Sequence, residues 1–471
     1  MKKTIKYIII GFVAMSLFSC DNFLDEKPKQ AVASEDAITN LDEAQVALSG
    51  CYDGLQEIEL FARDYYVISD LAADNSKMNV QNAGRFINIY QWNISATEGY
   101  GTGIWNMGYQ TIYRVNKVIN DASAFTDVDE AEQNRIVGEA KAIRALLYFS
   151  LVNYFAQPYN YTSDASHLGV PLILEAVGVD AKPGRATVAQ IYQQILADLE
   201  GNSEETGAID LLTSRESAFY IDVYGAHALL SRVALYMEDW AKARDNALIV
   251  INSDKYKLVP QADFIDSWAT DVHSEQIFYL RFDAVDNHSV DMLGQMYMES
   301  GYGDILVTND LLDLYESSDV RAGWFRETDD AEVTYIEKYP GRSRVGIDNI
   351  PIFRLAEMYL NAAEAYAELN DDANAQAMVK NITDRAGATE ALETGAGLKT
   401  KIKLERRKEL CFEGQRLWDI QRWNQNIVRE DLTSPGIKST ITYPNYLYAY
   451  PIPDREIQVN SVIAEQQNPG Y

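Results

Sequence analysis

The 471-residue sequence predicts an all-α (mainly) fold in which short strands are confined to loop-rich insertions. Residues 131–155 repeat apolar side chains at steps of three and four, which places one apolar stripe along a long helix. Thr187 and Gln190 have the spacing of a capping box at the start of the next helix. No long run alternates between apolar and polar residues, and extended pieces are expected only near 276–282 and 305–308.

Two segments have the pattern of tetratricopeptide-like helix hairpins. In residues 224–251 and 353–385, apolar faces with many alanines lie on both sides of a short polar turn. Small side chains let paired helices approach closely, and each hairpin needs a neighbour to bury its other face. The two segments are too far apart for a tandem array with a period of about 34 residues, so the hairpins are dispersed in a larger fold.

The N-terminus predicts export and lipid attachment. Lysines precede an apolar run at residues 7–18, which is shorter than the about 20 residues that a bilayer core requires but suits a signal peptide. The run ends in Leu17-Phe18-Ser19-Cys20, which resembles a bacterial lipobox. We therefore expect a signal peptide at 1–19, lipidation of Cys20, a tether at 20–30 and a single ligand-binding domain at 31–471. An ordinary signal peptide with a chance cysteine is the alternative.

Charge and cysteine content narrow the function classes. The formal net charge is −29, an excess that repels phosphate backbones and argues against nucleic-acid binding. The same charge opposes flat binding to anionic lipid, so acyl chains would have to supply the membrane anchor. Cys51 and Cys411 lie in apolar helical patterns, which predicts two buried free thiols rather than a disulfide.

The sequence contains no recognisable catalytic motif. Its four histidines are scattered, and metal-ligand spacings, nucleophile elbows and Walker-type loops are absent. The glycine-rich stretch 99–103 has no preceding strand and is interpreted as a loop. We expect a protein that is not an enzyme and that needs no cofactor or metal.

Several long motifs occur in an order that resembles one known family. They are LAEMYLNAAEA at 355–365, DRAG at 384–387, ERRKELCFEGQRLWD at 405–419, YPIP at 450–453 and QNPGY at 467–471. This series resembles the SusD/RagB family of outer-membrane nutrient-uptake lipoproteins of Bacteroidetes, over essentially the whole mature chain.

The resemblance implies a SusD-like α-helical superhelix that is lipid-anchored in the outer membrane and exposed at the cell surface. It also implies a partner, a TonB-dependent (SusC-like) outer-membrane barrel, over which the protein acts as a lid that captures oligosaccharide. Two alternatives stay open: a RagB-like lid that captures peptides, and a helical-repeat scaffold for other surface proteins.

Two regions, 75–103 and 296–324, combine aromatic residues with polar side chains, which is the chemistry that a sugar site needs. A pyranose stacks its C–H face on an aromatic ring while polar side chains bind its hydroxyls. The glycan-binding candidates from these regions and from the loop around residue 268 are Asn79, Asn82, Arg85, Trp92, Tyr100, Trp268, Tyr297, Tyr302 and Trp324. Core packing is the alternative for Trp92, an ion pair for Arg85 and a loop cap for Trp268. Trp105 and Tyr113 are expected to be core residues.

The charged motif at 405–416 has a structural interpretation. Glu405, Glu409, Glu413 and their arginine neighbours are expected on three turns of one helix, where residues three and four apart can pair. We predict that these residues form a buried ion network that joins this helix to its neighbours. An acid/base or sugar-clamping cluster is the alternative interpretation.

Overall fold

The structure, a computed structural model, describes residues 38–175, 177–178, 180–330, 333–341, 345–433 and 436–471. The predicted signal peptide, Cys20 and the tether lie outside the described residues. Within the described part, the chain forms seventeen α-helices and eight short strands, which confirms the mainly helical fold class. No helix in these ranges is long and apolar enough to cross a membrane.

The α-helices are numbered in chain order. They are α1 Leu41–Leu55, α2 Asp64–Leu71, α3 Ile87–Gln91, α4 Gly99–Ser123, α5 Glu130–Phe155, α6 Val188–Glu200, α7 Ala208–Leu211, α8 Val223–Tyr236, α9 Trp240–Ile251, α10 Phe264–Ser267, α11 Leu293–Tyr297, α12 Asn309–Leu312, α13 Leu355–Glu368, α14 Asp372–Ala386, α15 Ala396–Leu410, α16 Arg416–Arg422 and α17 Asp454–Val459. The strands are β1 Ser76–Met78, β2 Gln276–Leu280, β3 Ile305–Val307, β4 Phe325–Glu327, β5 Thr334–Ile336, β6 Ile350–Arg354, β7 Ile427–Val428 and β8 Thr440–Ile441.

Helix α5 is present where the periodicity predicts a helix, but it is more deeply buried than one apolar stripe implies. Every residue from Ile136 to Phe155 is buried, because α1, α4 and α6 all pack around it. The capping box at Thr187 and Gln190 is also confirmed, since each side chain binds the backbone N–H of the other residue.

The expectation of a loop at 99–103 is wrong, because these residues form the first turn of α4. The Glu98 carboxylate caps that turn by accepting a hydrogen bond of 3.0 Å from the backbone N–H of Gly101. Glycine in this helix serves close packing: a Cβ at Gly108 would lie 2.9 Å from Cδ2 of Leu151 in α5. The glycines therefore reflect helix contacts rather than a turn.

Both predicted hairpins are confirmed, as α8–α9 and α13–α14. Glu238 and Asn370 make the tight turns with φ of 60° and 61°. Although they are distant in sequence, the hairpins are neighbours in space, since α9 packs directly on α13. Helices thus stack from α4 through α5 and α6 to the two hairpins.

The two expected extended pieces are strands β2 and β3. Strand β2 pairs with β6, and β3 pairs antiparallel with β1 so that Met78 lies opposite Ile305. The β1–β3 pair matters for function, because it joins the two segments that the sequence singled out for ligand binding.

The charged motif forms a buried ion network, as predicted, but on more than one helix. Helix α15 ends at Leu410, so Glu413 lies in the connection that precedes α16. The Glu409 carboxylate accepts hydrogen bonds from Arg354 at 2.6 Å, Arg321 at 3.2 Å and Arg385, and these cations hold its pKa well below the usual range against the effect of burial. The network ties α14 and α15 to strand β6.

Cys51 and Cys411 are buried free thiols, as expected. Burial raises the pKa of Cys51 to about 12 and that of Cys411 to about 11. Both thiols therefore stay protonated and unreactive at neutral pH.

A candidate ligand-binding surface on two adjoining loops

The β1–β3 pair brings the loops at 79–86 and 299–304 side by side. The backbone N–H of Asn79 donates to the carbonyl of Asp304 at 2.8 Å, which extends the strand pairing by one residue. The Asn79 amide donates to the carbonyl of Gly303 at 3.0 Å. Asn79 is buried, so it fastens the two loops together rather than facing a ligand.

The loop at 79–86 is organised by Asn82 and the buried carboxylate of Asp304. The Asn82 amide bridges the turn, because it donates to the Asn79 carbonyl and accepts from the N–H of Gly84, whose φ of 95° suits glycine. Asp304 accepts from the N–H of Ala83 at 3.2 Å and from the Arg85 guanidinium at 3.0 Å. These contacts set the direction of Arg85.

Arg85 lies across the ring of Tyr302. Its guanidinium carbon is 3.6 Å from the ring centroid, well within cation–π range. The Arg85 side chain is 31% exposed, and one of its N–H groups is engaged by a described residue, Asp304. The Tyr302 hydroxyl donates to Asp291 at 3.3 Å. A half-buried ring and a partly exposed arginine, with N–H groups that no described residue engages, thus lie in contact at the surface.

Tyr100 lies on the neighbouring part of the surface, in the first turn of α4. Its ring stacks on Phe86 with centroids 4.1 Å apart and planes 13° apart. Its hydroxyl accepts a hydrogen bond of 3.1 Å from the N–H of Phe86, whose φ of 56° is left-handed. The flanking glycines suggest an uncovered ring, but Phe86 covers one face and leaves Tyr100 half-buried.

Charged groups beneath the surface connect its two parts. Arg63 is 2.7 Å from Asp64 and 3.7 Å from Asp291, and its guanidinium carbon lies 5.8 Å from the Phe86 ring centroid. Burial raises the pKa of Asp64 to about 7, although Arg63 opposes the shift. Arg63 and Asp291 belong to no recognisable motif, and only the fold brings them near Phe86 and Tyr302.

Four of the candidates are core residues, so the expectation that they stack on a ligand is wrong. Trp324 is 1% exposed; its ring lies 5.6 Å from that of buried Trp268 and 3.9 Å from Lys338 Nζ. Tyr297 packs on Phe412, and Trp92 is buried at the end of α3. These four side chains are buried by residues from segments that are remote in sequence.

The surface carries groups that are suited to ligand binding. The carboxylates of Asp64, Asp291 and Asp304 each have an arginine partner within 4 Å. Among the described residues, no group of three or more His, Cys, Asp or Glu side chains is arranged to hold a metal ion. Half-buried aromatic rings, an arginine fork and a partly exposed carboxylate can together grip a ligand that has both apolar faces and hydroxyl or amide groups.

Two family models match the chain. The one described as the SusD family matches residues 335–471, and the one described as starch-binding associating with outer membrane matches residues 22–235.

Individual relatives and solved structures agree with these matches. The chain is 24% identical to SusD-like protein P25 of Formosa agariphila, covering 98% of this chain and 99% of that protein. It is 30% identical to the starch-binding protein SusD of Bacteroides thetaiotaomicron, over 26% of this chain and 22% of that protein. A crystal structure of a SusD superfamily protein from Bacteroides thetaiotaomicron superposes with a TM-score of 0.84 at 29% identity, covering 92% of this chain and all of that one.

Proposed function

The chain belongs to the SusD/RagB family, and from this premise we propose that it captures oligosaccharides outside the cell without cleaving them. The name of one relative and the description of one family model refer to starch binding, which supports a carbohydrate as the ligand class. The acidic net charge of −29 suits neutral glycans better than sulfated or uronic polymers.

The observation that carries the proposal is the pairing of Tyr302 with Arg85. A sugar ring needs an aromatic face for its C–H groups and rigid donors for its hydroxyls. The buried Asp304 carboxylate fixes the guanidinium at 3.0 Å, so Arg85 loses little further freedom when a ligand binds. Tyr100 would extend the platform along the first turn of α4.

We also propose that capture serves import. In this proposal, lipidated Cys20 anchors the protein at the cell surface, and the protein acts as the lid of a TonB-dependent (SusC-like) barrel. The lipobox-like sequence at 17–20 supports the anchor, and the family description as associating with outer membrane supports the location.

Peptide capture is the second candidate function. The strong negative charge favours cationic peptides, and Asp291 offers a partly exposed carboxylate beside an aromatic ring. Peptides and glycans would use the same surface. A single binding screen that contains both ligand classes therefore distinguishes the two candidate functions.

The test is a binding screen of the soluble chain starting at Asp21 against neutral and acidic oligosaccharides and a peptide library. Saturable binding to one class of neutral oligosaccharide, with no shorter product detected by chromatography after long incubation, is the expected result. Binding confined to peptides would show that peptides, and not oligosaccharides, are the ligand class. Release of shorter sugars would overturn the non-enzymatic role.

A further inference from the structure

A cavity of about 780 Å³ lies away from the Arg85–Tyr302 surface, between the outer face of α4 and the C-terminal segment. Its walls come from α4, from residues around Pro171 and Pro183, and from α17 with the residues that follow it. The volume falls in the range of about 300–1,000 Å³ that is typical of small-molecule sites.

Side-chain hydrogen bonds hold the walls in place. The Tyr109 hydroxyl donates to the carbonyl of Pro171 at 2.8 Å, and the Asn116 amide donates to the carbonyl of Ile173 at 2.8 Å. On the opposite side, the Asn460 amide donates to the carbonyl of Pro183 at 2.9 Å. These bonds fix the residues around Pro171 and around Pro183, so the two walls that they form are held by the fold.

One wall is a row of aromatic rings. Trp105, Tyr109 and Tyr113 follow each other at intervals of four residues and therefore share one face of α4. The rings of Trp105 and Tyr109 lie 4.8 Å apart. Trp105 is buried, as the sequence predicts, but Tyr113 is 42% exposed, so the expectation of a core position is wrong for Tyr113.

Polar groups without partners line the same space. The side chains of Asn106, Gln110 and Glu456 line the cavity and make no hydrogen bond to any described residue. The indole N–H of Trp105 also has no hydrogen-bond partner in the described part of the chain. Donors and acceptors thus alternate with ring faces along one wall.

From this arrangement, we infer that the cavity is a second carbohydrate site, for a short neutral oligosaccharide. Exposed Tyr113 and half-buried Tyr109 offer the stacking faces, while Trp105 is buried and supports Tyr109 from behind. The amides of Asn106 and Gln110 offer the forked donors and acceptors that adjacent hydroxyls need. The charged side chains of the lining balance, with Arg114 and Lys182 against Asp180 and Glu456, so the cavity has no net preference for an ionic ligand. The unpaired polar groups disfavour a purely apolar one.

This site is distinct from the surface that carries the proposed function. Tyr100 and Tyr113 stand thirteen positions apart on α4, which separates them by about 20 Å along the helix axis. The inference shares the ligand class of the proposed function but uses different residues, so variants can test the two sites separately.

The experiment is calorimetric titration of the chain starting at Asp21 with maltohexaose, cellohexaose, xylohexaose and laminarihexaose in turn. The key protein is a variant that carries Arg85→Ala and Tyr302→Ala, because it lacks the first surface. We expect this variant to retain saturable binding to one of the four sugars. Adding Tyr113→Ala should weaken that binding about fivefold, the size of one lost aromatic contact.

Tyr220→Ala is the matched control, because Tyr220 is 37% exposed and lies outside the cavity. It should leave the affinity unchanged. Gln110→Ala, at an exposed position on α4, gives a second test with little risk to folding.

Two results would overturn the inference. One is an Arg85→Ala, Tyr302→Ala variant that binds none of the four sugars, or binds one with an affinity that Tyr113→Ala and Gln110→Ala leave unchanged. The other is a crystal structure of the mature chain in which protein atoms fill the cavity. Binding that depends on Tyr113 but not on Tyr302 would instead support this site and contradict the first one.

Discussion

Arg85 and Tyr302 are held by residues that no local pattern connects to them. Asp304 and Asp291, which position the two side chains, come from different loops, and Arg63 reaches the same surface from the start of α2. The sequence does point to Arg85, Tyr100 and Tyr302, because glycines and polar residues surround them. Arg63 and Asp291 could not be predicted, since they lie outside both candidate regions and reach Phe86 and Tyr302 only in the fold.

The same limit explains the four buried candidates. Trp324 stands among charged and small residues in the sequence, which suggests exposure, yet Phe264, Trp268 and Lys338 enclose it in the fold. Lys338 is itself neutralised by Glu413 at 2.6 Å, which lets a cation sit against the indole in the interior. Burial of an aromatic side chain depends on remote segments that local composition does not reveal.

Asp64 predicts a pH dependence of stability. Burial raises the pKa of its carboxyl to about 7 in the folded chain, against about 3.9 in an unfolded one. The folded chain therefore binds a proton that the unfolded chain lacks, so the contribution of this group to the free energy of unfolding falls as pH rises from about 4 to about 7. Asp64→Asn should gain stability relative to the parent between pH 5 and pH 8, measured by urea unfolding.

Asp245→Asn is the matched control for this prediction. Asp245 also lies 2.7 Å from the arginine that precedes it in sequence, but its side chain is 60% exposed. The change that Asp245→Asn makes in the free energy of unfolding should be the same at pH 5 and at pH 8. Parallel pH profiles for Asp64→Asn and the parent would contradict the assignment.

At the scale of elements, periodicity and capping patterns predict the long helices well. The α8–α9 and α13–α14 hairpins, α5 and the cap of α6 follow from side-chain spacing alone. The start of α4 does not, because a run of glycines is typical of a loop. A Cβ at Gly103 would lie 2.7 Å from Cγ of Glu59, so a larger residue there would displace the Glu59 side chain where the first turn meets a neighbouring segment.

The buried ion network predicts a large loss of stability when one member is neutralised. Glu409→Gln removes the carboxylate that Arg321, Arg354 and Arg385 share, and it leaves their charges in the interior. Loss of one partner from a buried ion pair costs about 3–5 kcal/mol, and we expect a decrease of that size in the free energy of unfolding by urea at pH 7.

The control is Glu299→Gln, which breaks a surface ion pair of 2.6 Å with Arg326. Exposed pairs contribute about 0–1 kcal/mol, so this variant should unfold almost like the parent. Because the pKa of Glu409 is lowered, its contribution is present above about pH 4 and is lost on acidification. Equal effects of the two substitutions at pH 7 would contradict the buried role of Glu409.

For the whole molecule, the order in which the helices pack could not be predicted from the sequence. The two hairpins are dispersed along the chain, as their spacing predicts, but the contact of α9 with α13 appears only in the fold. That contact brings the C-terminal motifs onto the N-terminal helical stack, and the β1–β3 pair then fixes the loops at one edge of it.

Lipid attachment at Cys20 can be tested in cells that express the protein. Cys20→Ser should abolish incorporation of a palmitate analogue into the protein and move the processed chain from the outer-membrane fraction to the soluble fraction. The parent should carry the label and pellet with the outer membrane. Labelling of the serine variant to the same extent as the parent would contradict the lipobox interpretation.

A single titration tests whether the Arg85–Tyr302 surface binds oligosaccharide. The best-binding sugar from the screen is titrated into the parent chain, Tyr302→Ala and Tyr366→Ala. Tyr366 is a suitable control because it also lies beneath an arginine, with the guanidinium carbon of Arg244 at 5.6 Å, but on the α13 hairpin.

We expect Tyr302→Ala to weaken the binding of that sugar about tenfold, the loss of roughly 1.4 kcal/mol of stacking, and Tyr366→Ala to bind like the parent. A Tyr302→Ala variant that binds with the parent's affinity would place the sugar elsewhere and rule out sugar binding at the Arg85–Tyr302 surface.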